Sequence, residues 1–361
     1  MRPPLCAIAP PYLLLSIVER GNRAARDAAV RALVESAAAR ARRVVLGYVP
    51  HGAARATVPG EHLDVYDVRH GGDGALPGRL VRSNGAPPAG DSAGDSAVDT
   101  AVDTAVDEAY DGADRTYAFY RDVLGRDSVD GAGLPLVSSV HYLTDFDNAF
   151  WNGSQMVYGD GSGEVFVVGG LTRDIDVIAH ELTHGVTQYT AALTYHGQSG
   201  ALNESMSDVF GSLVKQYTLG QTAAEADWLI GAGVLGSALH GTALRSMAAP
   251  GTAYDGDPQP ADMGHYVELP DDDDPRHDHG GVHLNSGIPN HAFFLAATAM
   301  GGHAWEAAGP IWYDALTTKL SADADFVAAA RATIAAAGDR FGAGSPQQQA
   351  VQDAWRQVKV G

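Results

Sequence analysis

The chain has one cysteine, Cys6, among its 361 residues, so no disulfide can form within it. It also lacks any apolar run approaching the roughly 20 residues that a membrane-spanning helix needs. Basic residues are few, since 24 Lys and Arg stand against 44 Asp and Glu, for a net charge of -20. Because nucleic acids and anionic membranes attract cationic surfaces, we expect neither as a partner. The composition predicts a compact chain, and we expect a monomer.

The N-terminal residues read as a separate unit. Their apolar start does not fit a secretory signal peptide, because Pro3, Pro4, Pro10 and Pro11 interrupt it and the charged stretch "ERGNR" follows. A helix is expected to begin near Asn22, a suitable N-cap for the Ala- and Arg-rich stretch that follows. The stretch "HGAARATVPG" is typical of an exposed linker. The compartment stays open between secretion without an obvious signal peptide and a cytoplasmic precursor.

The remaining chain changes character near Thr172. Residues 59–173 contain short apolar runs between Gly and Pro, which predict strands, and one longer helix that reaches about Leu124. Residues 174–361 predict helices at 174–190, 200–219, 222–238, 286–301, 303–320, 323–337 and 346–358. This order predicts an α+β fold with a strand-rich lobe, 59–173, and a helical lobe, 174–361, behind an N-terminal segment, 1–58.

The stretch "VIAHELTHGV" predicts a metal site. His180 and His184 are four residues apart, so on a helix they share one face and can bind one metal ion. Glu181 lies about 100° around the helix, where its carboxylate can take a proton from a water molecule beside the metal. A helix that merely carries two exposed histidines is the alternative.

A third ligand weakens that alternative. The stretch "SGALNESMSDVFG" predicts an amphipathic helix, and Glu204 on it would complete a His, His, Glu set with the fourth position open. A buried helix that carries Asn203 and Asp208 needs partners for both side chains. We expect these two residues to orient the imidazoles.

These motifs resemble the thermolysin family of zinc metallopeptidases. The segments "NAFWNGSQMVYGDG", "HELTH", "NESMSD", "ALRSM" and "GGVHLNSGIPNHAFF" occur here in the family's order, between about 60 and 358. The resemblance implies a two-lobed fold with one zinc ion in the cleft between the lobes. It implies an endopeptidase that cleaves polypeptides with water, a zinc ion and a Glu general base.

The resemblance also implies roles for single residues. His180, His184 and Glu204 would bind zinc, and Glu181 would be the general base. His283 and Tyr195 would stabilise the oxyanion of the tetrahedral intermediate, and Asp278 would orient His283.

Further residues would hold the substrate. Asn148 and Ala149 would bind its extended backbone, and Arg245 one of its carbonyl groups. The pocket for the residue after the scissile bond would have an aliphatic lining of Val168, Leu171, Val177, Ile230 and Leu244. Such a pocket favours cleavage on the N-terminal side of large apolar residues.

The short N-terminal segment resembles those of the protealysin-like subgroup, which implies an inhibitory propeptide. The residues expected to block the cleft are Cys6, Pro10, Pro11 and Tyr12. A Pro-Pro pair lacks amide donors and makes a poor substrate. The Cys6 thiolate can be read as a fourth zinc ligand or as a small apolar side chain packed under the propeptide. We expect maturation by a cut between Arg42 and Gly72, made by another copy of the enzyme.

The sequence departs from the family at the double calcium site. Asp176 and Asp227 match two of its carboxylates, but Lys215, Leu229 and Ala232 stand where acids are expected. Because calcium needs 6–8 oxygen ligands, we predict that this double site is absent and that Lys215 pairs with Asp176. Calcium elsewhere stays open.

His279 replaces an Asn that is frequent in the family. It is read either as a tolerated loop substitution, which is favoured, or as a residue that tunes the site with pH. Two other functions stay open, a catalytically silent zinc-bearing binding protein of the same fold and an exopeptidase. The "NAFW" and "GGVHLNSG" segments favour the endopeptidase.

Overall fold

A computed structural model describes residues 6–46, 62–84, 103–272 and 274–361, without the side chains of Cys6 and residues 41–46. The predictions for the linker at 51–60 and for the start of the long helix before Asp103 lie outside these residues. Within them, no helix is long and apolar enough to cross a membrane.

The N-terminal segment folds into a strand and a helical hairpin, β1 (Cys6–Ala7), α1 (Pro11–Arg20) and α2 (Arg23–Leu46). Pro11 occupies the first turn of α1, where its missing N–H costs nothing. Asn22 Oδ1 accepts a hydrogen bond from Ala25 N at 3.0 Å, so the expected N-cap is confirmed. The two helices pack through small and aliphatic side chains that are almost fully buried, namely Leu13, Leu14, Ile17, Ala25, Ala28, Ala29 and Ala32.

A six-stranded sheet has the strand order β1-β5-β6-β4-β2-β3. The five strands besides β1 are β2 (Leu63–Asp67), β3 (Arg79–Ser83), β4 (Leu136–Val140), β5 (Ala149–Trp151) and β6 (Met156–Tyr158). Strands β2, β4 and β6 run parallel, whereas β1 lies antiparallel on β5, with Cys6 opposite Trp151 and Ala7 opposite Phe150. The N-terminal segment therefore adds an edge strand to the sheet of the body.

Helix α3 (Thr104–Leu124) packs against this sheet and against the first helices of the second lobe. Asp103 caps it, because its side chain accepts a hydrogen bond from Ala105 N at 3.2 Å. Gly112 permits the close approach, since a Cβ there would lie 2.3 Å from Ile178 Cδ1. This contact joins the strand-rich lobe to the helical lobe.

The second lobe is mainly helical, as predicted. Its helices are α4 (Gly170–Arg173), α5 (Ile175–Gln188), α6 (Gly197–Leu219), α7 (Asp278–Asn285), α8 (Gly287–Met300), α9 (Ala308–Thr318), α10 (Phe326–Phe341) and α11 (Pro346–Gln357). Helix α6 runs through the centre and is buried on nearly all sides. The architecture is a mixed α+β fold.

The helix predicted at 222–238 is wrong. The structure has turns there and strand β7 (Leu229–Ile230), which pairs with β8 (Arg245–Ser246). Tertiary hydrogen bonds take over its backbone groups, because Gly231 N donates to Asp176 Oδ1 at 3.1 Å and Gly233 N to Asp174 Oδ2 at 2.8 Å. Both partners are distant in sequence, so the Ala-rich local pattern could not reveal them.

The stretch "EVFVVGG", one of the apolar runs in 59–173 that were predicted to form strands, forms a turn instead, with one isolated bridge between Phe166 and Leu235. The buried Asp147 side chain accepts the amides of Ser162 and Phe166 at 2.9 and 3.1 Å. This carboxylate holds the turn beside strand β5.

Candidate metal centre and active site

Helices α5 and α6 bring two imidazoles and a carboxylate to one point. His180 and His184 project from α5 and Glu204 from α6, and one ligand atom of each lies within 4.8 Å of the others. Glu204 Oε2 lies 3.5 Å from His180 Nε2, and Oε1 lies 3.5 Å from His184 Nε2. All three side chains are buried, so the packing of α5 against α6 creates a buried set of three potential metal ligands.

Both imidazoles are oriented from behind. His180 Nδ1 donates to Asp208 Oδ1 at 2.8 Å, and His184 Nδ1 donates to Asn203 Oδ1 at 2.8 Å. With Nδ1 engaged, each ring presents Nε2 toward the cluster, as ligand histidines do. The predicted orienting residues therefore lie beside the predicted ligands.

The donor set fits a divalent cation. Glu204 Oε2 and Glu181 Oε1 are buried and have no hydrogen-bond partner within the described part of the chain. Such oxygens are costly to bury without compensation. Two imidazoles and one carboxylate suit zinc with its fourth position open. A zinc ion among these three residues would give Glu204 Oε2 its missing partner.

Burial and neighbouring charges shift the pKa values of the side chains in this cluster. Burial opposes the charged form of His180, but Asp208 and Glu204 outweigh it and raise its pKa to about 9. Burial lowers the pKa of His184 to about 3. Burial also disfavours the charged form of Glu204, yet His283 and the two other histidines hold its pKa well below the usual range. The cluster thus keeps a buried carboxylate that attracts a cation.

Glu181 faces the same space from the other side. Trp151 N, on strand β5, donates to its Oε2 at 3.0 Å. Burial raises the pKa of Glu181 to about 8. The charge of His180 lowers this pKa by a smaller amount, and the charge of Glu204 raises it. A carboxyl group with a raised pKa is suited to accepting a proton and returning it.

His283 and Tyr195 form a second pair of donors. Asp278 Oδ1 accepts from His283 Nδ1 at 2.6 Å, which leaves His283 Nε2 3.1 Å from the Tyr195 hydroxyl. That hydroxyl also bonds to Glu204. Burial lowers the pKa of His283, but Glu204 and Asp278 raise it more, so Nε2 carries a proton more readily. The pair can stabilise an oxyanion.

Helix α7 is interrupted by a kink just before His283. His279, Gly280 and Gly281 have φ values of 51°, 81° and 81°, in the left-handed region. This turn lets both oxygens of Asp278 reach His283, one at the ring and one at the backbone N at 2.8 Å. The His279 ring centroid lies 6.0 Å from that of Tyr195.

Arg245 is held by Asp208. Its Nε and Nη2 donate to the two oxygens of Asp208 at 2.8 and 2.9 Å. Asn290 Nδ2 donates to Asp208 as well, at 2.8 Å. Burial disfavours the charged Asp208, but Arg245 and His180 lower its pKa to about 2. Asn290 was not predicted from the sequence, where its signal is an amide on helix α8, which also carries His291 and Thr298.

The N-terminal segment lies in the cleft above these groups. Ile8 N donates to Ala149 O at 3.1 Å, and Ala9 N donates to Asn148 Oδ1 at 3.1 Å. Arg245 Nη1 donates to Ile8 O at 3.4 Å, and His283 Nε2 lies 3.1 Å from Ala7 O. The residues expected to hold a substrate thus hold the chain's own N-terminal backbone.

Two family models cover most of the chain. The thermolysin metallopeptidase catalytic domain matches residues 58–188, and the thermolysin metallopeptidase alpha-helical domain matches residues 191–360. The chain belongs to the thermolysin family of metallopeptidases. It is a metalloprotease of a zinc-dependent family, as the motifs predicted.

Single relatives extend this result. The chain is 46% identical over 365 residues to an extracellular metalloprotease of Pectobacterium carotovorum subsp. carotovorum, across 99% of this chain and 97% of the relative. The solved precursor of protealysin, a metalloproteinase from Serratia proteamaculans, is 47% identical with a TM-score of 0.82, across 99% and 100% of the two chains. A thermolysin of Alicyclobacillus acidocaldarius subsp. acidocaldarius is 41% identical over 251 residues, 68% of this chain and 43% of the relative.

Four of the five residues expected to line the thermolysin-family specificity pocket are buried, namely Leu171, Val177, Ile230 and Leu244. Val168 is 65% exposed and does not join them. Val168 lies in the turn at 164–170 that replaces the expected strand, and this turn exposes its side chain to solvent.

The expected inhibitory residues follow β1. Pro10 precedes α1 as its N-cap, and Pro11 begins the helix. Tyr12 packs against the main hydrophobic core, and burial raises the pKa of its phenol well above the ordinary value. The Cys6 backbone pairs with Trp151, but the thiol lies outside the described side chains, so zinc ligation by Cys6 stays untested.

Lys215 occupies the place where thermolysin relatives were expected to carry calcium ligands. Its Nζ lies 2.7 Å from Asp176 Oδ2, 2.9 Å from Asp227 Oδ1 and 2.7 Å from Leu229 O. Burial lowers the pKa of Lys215, but Asp176 and Asp227 outweigh it and raise it. The predicted Lys215–Asp176 pair is present.

Proposed function

We propose that this metalloprotease is a zinc-dependent neutral endopeptidase made as a zymogen, with residues 1–58 as its inhibitory propeptide. The observation that carries the proposal is the position of the N-terminal strand. Residues 7–9 bond to Asn148, Ala149, Arg245 and His283, directly above the metal cluster. The precursor state of the protealysin structure supports the same reading.

A bound zinc ion would be held by His180, His184 and Glu204 and would polarise the scissile carbonyl group and acidify a water molecule. Glu181 takes the proton of the attacking water and delivers it to the leaving nitrogen. Trp151 N fixes one oxygen of Glu181, so the other oxygen, which has no partner among the described residues, is free for this transfer.

His283 and Tyr195 donate to the oxyanion that develops on the scissile carbonyl group. The Asp278 carboxylate keeps His283 Nε2 pointed into the cleft. Such donors favour the transition state, because the negative charge they bind is fully formed only there. Arg245 binds the next carbonyl group of the substrate, and Asp208 holds Arg245 in place.

We propose cleavage on the N-terminal side of large apolar residues. Ile8 is fully buried at the position that follows the Ala7 carbonyl group, and it belongs to the main hydrophobic core, as do Leu171, Val177 and Leu244. An aliphatic pocket discriminates by size and apolarity. The double calcium site is proposed to be absent, because Lys215 supplies a positive charge to Asp176.

The proposal is tested with the matured protein and an N-terminally blocked peptide that contains one internal Ala–Leu bond. We expect cleavage before Leu, loss of cleavage with a zinc chelator, and recovery with added zinc. Matched Glu181→Gln protein should be inactive. Release of amino acids only from unblocked peptides would favour an exopeptidase. Chelator-sensitive zinc binding without any peptide cleavage would favour the alternative of a catalytically silent zinc-bearing binding protein. No described contact supports that alternative.

A further inference from the structure

Residues 6–9 pass through the catalytic centre in the orientation of a substrate. The carbonyl oxygen of Ala7 lies 3.1 Å from His283 Nε2, the expected oxyanion donor. The next nitrogen, Ile8 N, donates to Ala149 O at 3.1 Å, and the next carbonyl, Ile8 O, accepts from Arg245. The bond between these groups, Ala7–Ile8, is therefore the peptide bond presented to Glu181 and to the proposed metal ligands His180, His184 and Glu204.

The sequence around this bond fixes the register. The first residue after the scissile bond must donate to Ala149 O, and the second must donate to Asn148 Oδ1. A shift by one residue would place Pro10 opposite Asn148, and a shift by two would place Pro10 opposite Ala149. Neither is allowed, because proline has no N–H. A shift in the other direction would exchange Ile8 for Ala7 in the apolar pocket and lose buried area.

We propose that the catalytic centre hydrolyses its own Ala7–Ile8 bond, so that the propeptide is a single-turnover internal substrate. Water adds to the Ala7 carbonyl carbon, and Glu181 accepts its proton. The proton passes to Ile8 N as the C–N bond breaks. The products are a peptide that ends in the Ala7 carboxylate and a chain that begins with the Ile8 amine. This inference rests on the proposed function.

The cut does not release inhibition. Among the described residues, it removes the Ala7–His283 contact, the short pairing of β1 with β5 and the packing of the buried Ala7 side chain. Ile8 and Ala9 keep their bonds to Arg245 and Asn148, and the buried Leu13, Leu14 and Ile17 of α1 keep their packing. The new Ile8 amine stays beside Ala149 O. The nicked propeptide therefore remains as a bound product, and activation needs a second cut near the linker.

The first experiment follows the zinc-loaded full chain by intact mass and N-terminal sequencing. We expect a fragment that begins at Ile8, formed at a rate independent of protein concentration, while cleavage of the blocked peptide stays absent. Glu181→Gln should stay whole. Ile8→Asp should slow the cut by at least about tenfold, because a carboxylate is costly in an apolar pocket, and Ile8→Val should retain it.

An intact Ala7–Ile8 bond in a preparation whose matured form cleaves the blocked peptide would overturn this inference alone. A fragment that begins at another residue would overturn the register. If the matured form also fails to cleave the blocked peptide, the proposed function is contradicted together with this inference.

A second measurement does not depend on activity. In metal-free Glu181→Gln chain, the amides of Ile8 and Ala9 should be protected from hydrogen exchange, because both are bonded in the cleft. Ile8→Asp should lose at least about tenfold of that protection, and Ile8→Val should keep it. Unprotected Ile8 and Ala9 amides in the unsubstituted strand would contradict the substrate-like position.

Discussion

Asp208 connects a proposed metal ligand, His180, with the proposed substrate-binding residue Arg245. One carboxylate accepts from His180 Nδ1, from both Arg245 nitrogens and from Asn290. A buried carboxylate with this many charge-assisted bonds is rigid, because every oxygen lone pair is directed. The guanidinium proposed to bind a substrate carbonyl group and the imidazole proposed to bind the metal are therefore fixed relative to each other.

Tyr195 provides a sharper test of the chemical step. Tyr195→Phe removes one donor to the oxyanion and leaves the ring packing intact. We expect kcat to fall by roughly 10²–10³ with little change in KM, because the donor acts mainly in the transition state. Steady-state kinetics of the matured enzyme with the blocked peptide check this. Tyr110→Phe, on α3, is the control, and an equal loss there would show a structural effect.

Lys215 joins helices α5 and α6 to strand β7 by a single ammonium group. Three oxygens surround it, which matches the three donors of a lysine side chain. These contacts of the ammonium group tie the three elements together. It also explains why a helix is absent at 222–238, since the backbone there turns to reach Lys215 and Asp176.

Lys215→Met should destabilise the protein, because Asp176 is 1% exposed in its side chain and would keep a buried charge without its partner. Breaking such a pair costs roughly 3–5 kcal/mol. Denaturant unfolding in the Glu181→Gln background measures this loss. Lys319→Met, in an exposed pair with Asp339, is the control and should change little. Stabilisation of the unsubstituted protein by calcium that Asp227→Asn removes would contradict the replacement of the double site.

His141 links helix α3 to the turn after β6. Its Nδ1 lies 2.8 Å from Asp160 and its Nε2 3.0 Å from Asp103, the N-cap of α3, while His70 also lies near Asp160. The hydrogen bond to Asp160 is the largest effect, and together these groups raise the pKa of His141 to about 9. The charged imidazole therefore stabilises the joint.

This raised pKa predicts a pH-dependent stability. The stabilisation of the folded protein by His141 is complete below pH about 6.5, where the imidazole is protonated in the unfolded chain as well. This stabilisation is lost as pH rises through about 9. His141 has a φ of 56°, in the left-handed region that Asn tolerates. His141→Asn should therefore lower the unfolding free energy at pH 6 but not at pH 10. Urea unfolding across this range tests it in Glu181→Gln protein. An equal loss at both pH values would refute the linkage, and His265→Asn serves as the control.

The precursor as a whole cannot present two of its own segments to one cleft. Residues 6–9 occupy the site, so the maturation segment between Arg42 and Gly72 is expected to be cut by a second copy. Glu181→Gln precursor should therefore persist alone and be processed when a small amount of wild-type enzyme is added. Gel electrophoresis over time follows this. Maturation of the variant alone, without added protease, would contradict self-processing.

Short spacing rules were enough for much of the site. Two histidines four residues apart on a helix must share a face, and the distant Glu204 was found because a second helix carried polar groups that needed buried partners. The strand-rich and helix-rich halves were equally visible, since apolar periodicity is a local property. The N-cap at Asn22 followed from one side chain.

Long-range contacts were decided only by the tertiary structure. The turns at 222–238 depend on Asp174, Asp176 and Lys215, and the exposed Val168 depends on the turn held by Asp147. By itself, the sequence predicted the proposed zinc ligands and the proposed proton acceptor, because these predictions follow from residue type and helical spacing. Only the tertiary structure decided that Ala7 and Ile8 lie over them, because that requires a strand from one end of the chain to bond with groups more than 130 residues away.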